Sequence, residues 1–406
     1  MKRANYMRKE KVLIVHNYYQ IPGGEDTVVA NEKKMLEDNG HEVFTYTRNN
    51  NEIKKKSLLG KLLLVFESIF SIKTYREVKK SIKKNKIDIV HVHNTLSLIS
   101  PSVYYAAFKC KIPVVQTIHN FRLLCPAATL YRDNHICEDC ISKGLRCAIK
   151  YKCYRGSFLQ TLISVLIIKI NRILGTYKKL NYICLTEFNK EKLLQLNRKN
   201  KKIINEDKIF IKPNFVNKEN NIIPYEERKN QFVFVGRLDP LKGVDILLNA
   251  WKKVNYDAGK LVICGTGPMN EWCNEFIKVN KLENIELLGF VENNLARKII
   301  SESKALILPT QWYEGFPMTI VEAYSEGTPV IGSDIGNTGS LIINELTGIK
   351  FKYNSIEELT NIINSFDKFK DKFNVYDFYT KNYKYNENYN ILKKIYIKCL
   401  KEKQRG

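Results

Sequence analysis

The sequence predicts an α/β protein of two doubly wound domains in series. Short, β-branched apolar runs alternate with helix-length segments, the whole pattern restarts once midway, and several of the runs end in glycine turns. Strands buried on both faces of a parallel sheet read as continuous apolar runs rather than as alternation, and repeated βα units build doubly wound sheets. The length agrees, because 406 residues exceed what one ordinary core supports.

The first predicted strand is Lys11-Val-Leu-Ile-Val15, followed by the turn Ile21-Pro-Gly-Gly-Glu25 and a helical pattern through Val28, Val29, Met35 and Leu36. Further strands are predicted at Glu42–Tyr46, Ile87–Val92, Val114–Ile118 and Tyr182–Leu185. The join falls between Lys212-Pro-Asn214 and Pro224, where polar, Asn-rich sequence interrupts the periodicity. The pattern restarts with Phe232–Val235, Lys260–Cys264, Ile285–Leu288, Ala305–Leu308 and Pro329–Gly332. A closing helix is expected over Tyr376–Leu400. The predicted domains are therefore 1–215, carrying a Cys-rich insert at about 121–156, then 216–375, then a terminal helix in 376–406.

Composition excludes several classes. An apolar fraction of 44% rules out a disordered chain, and no run of eighteen apolar residues offers a membrane span. The start, Met1–Glu10, is basic but lacks an apolar core after it, so no secretory signal is read and a cytoplasmic protein is expected. The net charge of +24 is uneven: residues 1–215 carry 40 basic and 18 acidic side chains, whereas 216–345 carry 13 and 17. Two windows hold most of the excess, 51–90 with eleven against four and 141–180 with nine against none. Both also hold apolar residues at helical spacing: Leu58, Leu59, Leu62, Leu63, Phe66, Ile69 and Phe70 in one, Phe158 to Leu174 with Lys169 and Arg172 in the other. Basic apolar helices suit an anionic membrane surface, and a peripheral position on the inner face of the plasma membrane follows as an expectation.

In open α/β sheets, ligands gather at the carboxyl ends of strands, where helices begin with unpaired N–H groups. Val233-Phe-Val-Gly-Arg-Leu-Asp-Pro-Leu-Lys-Gly243 is such a place, and Arg237 with Lys242 suits a diphosphate: a planar fork holds one phosphate while a point charge neutralises a departing one. Gly265-Thr-Gly267 either lines a ligand or serves only turn sterics. Gly23 and Gly24, after the first strand, either let backbone approach a bulky ligand or merely allow a turn. In Leu308-Pro-Thr-Gln-Trp-Tyr-Glu-Gly-Phe-Pro-Met-Thr-Ile-Val-Glu-Ala-Tyr324, Glu314 and Glu322 flank a helix predicted to begin near Met318 or Thr319. One carboxylate can accept from ribose hydroxyls and the other from sugar hydroxyls, or both are ordinary acids favoured near a helix start.

These segments resemble a known family. Glu314-Gly-Phe-Pro…Glu322 resembles the E-x7-E motif of the retaining glycosyltransferases of family 4, and Gly236-Arg-Leu-Asp-Pro-Leu-Lys-Gly243 resembles that family's donor-diphosphate segment. Gly23-Gly24, Ile118-His-Asn120, Pro213-Asn214 and Ser333-Asp-Ile-Gly336 are similar as well, in the family's order across residues 11–350. The resemblance implies a GT-B fold, two Rossmann-like domains facing across a cleft, with the terminal helix crossing back to the first. It implies a nucleotide-diphospho-sugar donor held by Arg237 and Lys242 at the diphosphate and by Glu322 at the ribose. Glu314, with the backbone of Gly315 and Phe316, would hold the sugar, Thr319 would serve the donor side, His119 would approach the sugar, and Gly23 and Gly24 would let the first loop close. Retention by front-face attack is implied too. The chain has no D-x-D triplet, so no catalytic metal is expected. An acidic residue that the family commonly has after Ser333-Asp-Ile-Gly336 is replaced here by Asn337-Thr-Gly-Ser-Leu341.

Cys125, Cys137, Cys140, Cys147 and Cys153 form C-x11-C-x2-C-x6-C-x5-C, which is either a structural zinc site at Cys125, Cys137, Cys140 and Cys153, with Cys147 spare, or a set of buried or redox-labile thiols with no metal. The membrane-suited basic helices point to a lipid-linked saccharide acceptor and to bacterial surface polysaccharide synthesis. A nucleotide-sugar 2-epimerase of the same architecture needs further acids and bases in the first domain. A basic, Cys-rich nucleic-acid binder leaves Glu314, Glu322 and Arg237 unexplained, so no nucleic acid is expected.

Overall fold

The computed structural model describes residues 9–20, 23–55, 57–198, 202–217 and 222–405. The side chains of Leu58, Leu59, Lys61, Leu62, Gln404 and Arg405, and the first eight residues on which the reading of the start rests, lie outside that description. The chain divides into two compact units, Met1–Ala128 with Glu138–Pro213 and Asn388–Gly406, and Thr129–Cys137 with Asn214–Glu387.

The strands before the join are β1 (Lys11–Tyr18), β2 (Glu42–Asn49), β3 (Ile89–Val92), β4 (Val114–Ile118), the hairpin pair β5 (Tyr131–Arg132) and β6 (His135–Ile136), β7 (Asn181–Cys184) and β8 (Ile209–Ile211). The first unit's sheet runs β2-β1-β3-β4-β7-β8, entirely parallel, with Leu13 opposite Phe44 on one side and Val90 on the other. Val12, Leu13, Ile14 and Val15 have no exposed surface, which is why this central strand reads as an unbroken apolar run. The helix Gly24–Asp38 buries Val28, Val29, Met35 and Leu36 on the sheet-facing stripe, and Glu32 with them.

The second unit has β9 (Gln231–Val235), β10 (Lys260–Cys264), β11 (Ile285–Gly289), β12 (Ala305–Leu308), β13 (Val330–Ser333) and β14 (Gly348–Phe351), in the parallel order β11-β10-β9-β12-β13-β14. Period-two alternation sends Phe232 and Phe234 of β9 to one core layer, with Leu247, Trp251 and Ile363. Val233 goes to the other, with Leu306, Ile320, Val321 and Tyr324. The fold is the two-domain α/β architecture called GT-B.

Several expectations are corrected. β8 and β14 were not predicted; each is a short edge strand of three or four residues, too brief for a periodic signal. The hairpin β5–β6 lies inside the predicted insert yet belongs to the second unit, where Tyr131 senses Tyr353 and Asp245. The closing segment is two helices, Val375–Asn382 and Tyr385–Arg405, and only residues from Asn388 onward belong to the first unit. There Tyr389 and Tyr396 bond His41 and His91 at 2.9 and 2.8 Å. Among the described residues no helix is long and apolar enough to cross a membrane.

Candidate active site

In the second unit, β9 delivers Gly236 and Arg237 at its carboxyl end, and a short 3-10 turn, Pro240–Lys242, leads into the helix Val244–Trp251. Asp239 caps this turn by accepting from the Lys242 N–H at 3.1 Å and also accepts from Arg237 Nε, which leaves most of the guanidinium facing solvent. Lys242 Nζ lies 2.6 Å from Glu314 Oε1, and Thr310 Oγ1 donates to the same oxygen at 3.2 Å. Lys242 and the first predicted carboxylate therefore pair across the ends of β9 and β12, while Asp239 ties Arg237 to the Lys242 backbone.

Asn337 opens the stretch, Asn337 to Leu341, in which an acid was expected. It is fully buried, and its amide donates to the carbonyls of Glu314 and Gly315 at 2.6 and 2.7 Å. A planar trans peptide then turns the N–H groups of Gly315 and Phe316 away from Asn337. An Asp here would set a carboxylate against two carbonyl oxygens, so the amide is what this loop requires. Sequence reasoning missed this role and registered only the missing acid.

The helix Met318–Ser325 begins where predicted, with Thr319 in its first turn and Glu322 one turn in. Burial raises the Glu322 carboxyl above its usual range, opposed by Asn293 Nδ2, which donates to Oε1 at 3.0 Å, and by the charge of Arg297. A desolvated carboxylate with spare lone pairs is suited to vicinal hydroxyls. Gly265 and Gly267 have a steric explanation: a Cβ would stand 1.8 Å from the Gly236 carbonyl oxygen at the first and 2.3 Å from the Leu238 carbonyl oxygen at the second. They let the turn after β10 pack on the Gly236–Leu238 segment that carries Arg237.

In the first unit His119 follows β4, beside a small pocket of about 80 Å³ that His93, Asn120 and Arg122 also line. Burial and the neighbouring His93 hold the His119 imidazole neutral, well below its usual range. Behind it runs a buried polar chain that the sequence did not reveal. His93 Nδ1 is 2.9 Å from His119 Nε2, and His93 Nε2 is 3.5 Å from Glu32 Oε1. Glu32 also lies 2.9 Å from His91 Nδ1 and 2.9 Å from Lys212 Nζ. Burial works against its charge, but Lys212 and the histidines outweigh it and hold the carboxyl well below its usual range. The Glu32 charge near Nε2 favours the His93 tautomer protonated there, in which Nδ1 accepts and His119 donates through Nε2. The His119 Nδ1 lone pair remains as an acceptor.

Glu32, His91 and His93 are, among the described residues, the one group whose ligand atoms crowd within 4.8 Å. The chemistry does not fit a metal centre. Lys212 already neutralises Glu32, while His91 bonds Tyr396 and Thr117 at 2.8 Å each.

Gly23 precedes the helix Gly24–Asp38 with an extended φ of −140°, and a Cβ on it would meet nothing within 4 Å. The local backbone thus supplies no reason for glycine at 23. Beside it, Glu25 accepts from the Tyr19 hydroxyl at 3.1 Å, and burial pushes its carboxyl up to about 8. His16 holds Asp26 at 2.7 Å.

The expected zinc set of Cys125, Cys137, Cys140 and Cys153 is not assembled. All ten cysteines are free thiols, and the five of the insert form no group of three within 4.8 Å. Cys137 ends the hairpin in the second unit, whereas the thiols that Cys140 senses are Cys125, Cys153 and Cys147. Burial, with those neighbours, pushes the Cys140 thiol up to about 12.

Two family models match this chain. Residues 22–219 match "Glycosyltransferase Family 4" and residues 216–381 match "Glycosyl transferases group 1". An uncharacterized glycosyltransferase of Methanocaldococcus jannaschii is 28% identical over 356 residues, 86% of each chain. A UDP-Gal:alpha-D-GlcNAc-diphosphoundecaprenol alpha-1,3-galactosyltransferase of Escherichia coli is 27% identical over 314 residues, covering 73% of this chain and 70% of its own. A glycosyltransferase structure from Rickettsia africae superposes with a TM-score of 0.69 over 97% of this chain and 100% of its own, at 19% identity, a likeness of fold.

Proposed function

The chain belongs to glycosyltransferase family 4, and from that premise we propose that it moves a sugar, with retention of anomeric configuration, from a nucleotide-diphospho-sugar to a lipid-linked saccharide in surface polysaccharide synthesis. The observation that carries this reading is the pairing of Lys242 with Glu314 at adjoining strand ends, with Arg237 just past β9 and Glu322 in the helix that follows. Arg237 and Lys242 bind the diphosphate. Glu322 accepts from the ribose hydroxyls, and Glu314 with the Gly315 and Phe316 N–H groups takes the sugar. Thr319 lies in the first turn of the helix whose N-terminus faces the phosphates.

In the proposed reaction the bond from the anomeric carbon to the diphosphate oxygen breaks as an acceptor hydroxyl attacks the same face. The acceptor proton passes to a leaving phosphate oxygen. Arg237 and Lys242 stabilise the charge that develops there, the task a metal performs in other nucleotide-sugar transferases. His119 and the loop at Gly23 and Gly24 are assigned to the sugar and the phosphates on the first unit's side. A lipid-linked acceptor is supported by the printed substrate of the Escherichia coli relative. It is supported further by exposed Leu63, Phe66 and Ile72 in one basic window and Phe158 in the other, which suit the inner face of the plasma membrane.

The test is transfer from a panel of nucleotide-sugars to undecaprenyl-diphosphate-linked N-acetylhexosamine with EDTA present, and the anomeric configuration of the product by NMR. A retained configuration at undiminished rate in EDTA supports the reading. Inversion, or loss of activity restored by a divalent cation, overturns it.

A further inference from the structure

A second cavity in the first unit is larger than the pocket at His119. It is a cleft of about 940 Å³ walled by the helix Phe158–Ile173 and the insert helices Asp139–Ser142 and Arg146–Lys150. Its floor is aliphatic, with Leu162, Val165 and Ile149 among the lining residues. Six cations line it and no acid does. Lys143 pairs with Asp139 at 2.8 Å, but Arg146, Lys169, Arg172, Arg198 and Lys202 have no carboxylate partner among the described residues.

Arg172 is the informative member. Its Nη2 donates to the Leu123 carbonyl at 2.6 Å, and its Nε is buried with no hydrogen-bond partner. Burial pulls the guanidinium below its ordinary value. A cation taken out of water with one carbonyl for company is uncompensated, and a planar fork of this kind is matched by phosphate oxygens. Ordinary surface lysines need no such partner; a half-buried, half-bonded arginine above an aliphatic floor does.

The cleft is tied to the candidate active site. Leu123, which accepts from Arg172, lines the pocket at His119, and its neighbour Leu124 lines the cleft. The helix Phe158–Ile173 likewise gives Ser164 and Ile168 to the pocket, and Leu162 and Lys169 to the cleft. Its last apolar residues, Ile173 and Leu174, are 73% and 58% exposed, so the aliphatic character continues outward to the mouth.

We propose that this cleft binds a diphosphate bearing an apolar chain, with Arg172, Arg146 and Lys169 on the phosphates and the aliphatic floor on the first units of the chain. The choice of ligand rests on the lipid-linked-acceptor reading above. The cleft would hold the membrane-bound end of the acceptor next to the pocket where its saccharide reacts.

The experiment titrates farnesyl diphosphate, inorganic diphosphate and phosphatidylglycerol vesicles into the full chain by calorimetry, with UDP, GDP and ADP titrated in parallel. Farnesyl diphosphate is expected to bind at least about ten-fold tighter than inorganic diphosphate, and Arg172→Met to weaken it by about ten-fold or more. Arg146 and Lys169 are exposed, so the Arg146→Gln/Lys169→Gln variant folds independently of Arg172 and is expected to show the same loss. Equal binding of both diphosphates, or unchanged binding of farnesyl diphosphate by both variants, overturns the proposal. Vesicle binding that the variants lose, without binding of farnesyl diphosphate, also overturns it and makes the cleft a headgroup site. Failure of every nucleotide to bind, with farnesyl diphosphate still bound, counts against the donor reading alone.

Discussion

Lys242 Nζ and Glu314 Oε1 stand 2.6 Å apart, joining the end of β9 to the loop after β12 in one ion pair. The side chains are 24% and 8% exposed, so neither charge is well served by water. A ligand phosphate arriving at Lys242 would compete with Glu314 and free a carboxylate oxygen for a sugar hydroxyl. Each charge therefore holds the other in place until the donor binds.

Lys242→Ala and Glu314→Gln are each expected to lower turnover by on the order of 10²–10³, since a leaving-group cation and a sugar-holding carboxylate act as one unit. The double variant should lose little more than the worse single one. Full additivity in a double-mutant cycle would show the pair to be two independent sites.

Much of this was legible in the sequence, and the exceptions have physical causes. Strands such as Val114–Ile118 and Ala305–Leu308 match the prediction to the residue because they are central and buried on both faces. The placement of Arg237, Lys242, Glu314 and Glu322 just past strands or in a helix start was legible because there local spacing carries meaning. Glu32 and Lys212 were not: they are 180 residues apart in sequence, and Glu32 occupies a helix stripe that looks apolar apart from it. The role of Asn337 was not legible because its partners are backbone carbonyls, which no side-chain motif records. The cysteine spacing did not record that the hairpin ending at Cys137 clusters with the second unit.

Asn337→Ala removes both bonds to the Glu314 and Gly315 carbonyls and leaves the loop to find its own conformation. The expected result is a rise in donor KM with a fall in kcat/KM of about ten- to a hundred-fold, from misplaced N–H groups. Asn337→Asp should do no better, because two carbonyls would face a carboxylate. Steady-state kinetics of the two variants decide; wild-type kinetics for either would contradict the role.

His119 is expected to carry its proton on Nε2. The chain has six histidines, so ¹⁵N-histidine NMR with single-histidine variants for assignment can read the tautomer directly. Glu32→Gln removes the charge that keeps the His93 proton on Nε2 and should convert the His119 signal to a mixture. An Nδ1–H tautomer in the wild type, or an unchanged signal in the variant, would contradict the chain of bonds.

Glu25 makes stability depend on pH. Its folded carboxyl titrates at about 8 against 4.5 for the ordinary group, so the folded state keeps a proton that the unfolded chain releases. Its contribution is fully present below about 4.5 and is lost as pH rises through about 8. Melting temperatures from pH 5 to 9 should fall for the wild type relative to Glu25→Gln. Parallel curves would contradict the burial of this carboxyl.

The most direct test of the central claim, a nucleotide-sugar donor site built on Arg237, Lys242, Glu314 and Glu322, is a thermal-shift panel of UDP-, GDP- and ADP-sugars on wild type and Glu322→Ala. Stabilisation by one nucleotide class, absent in the variant, is the predicted result. Stabilisation that persists in Glu322→Ala, or none with any nucleotide, would contradict it.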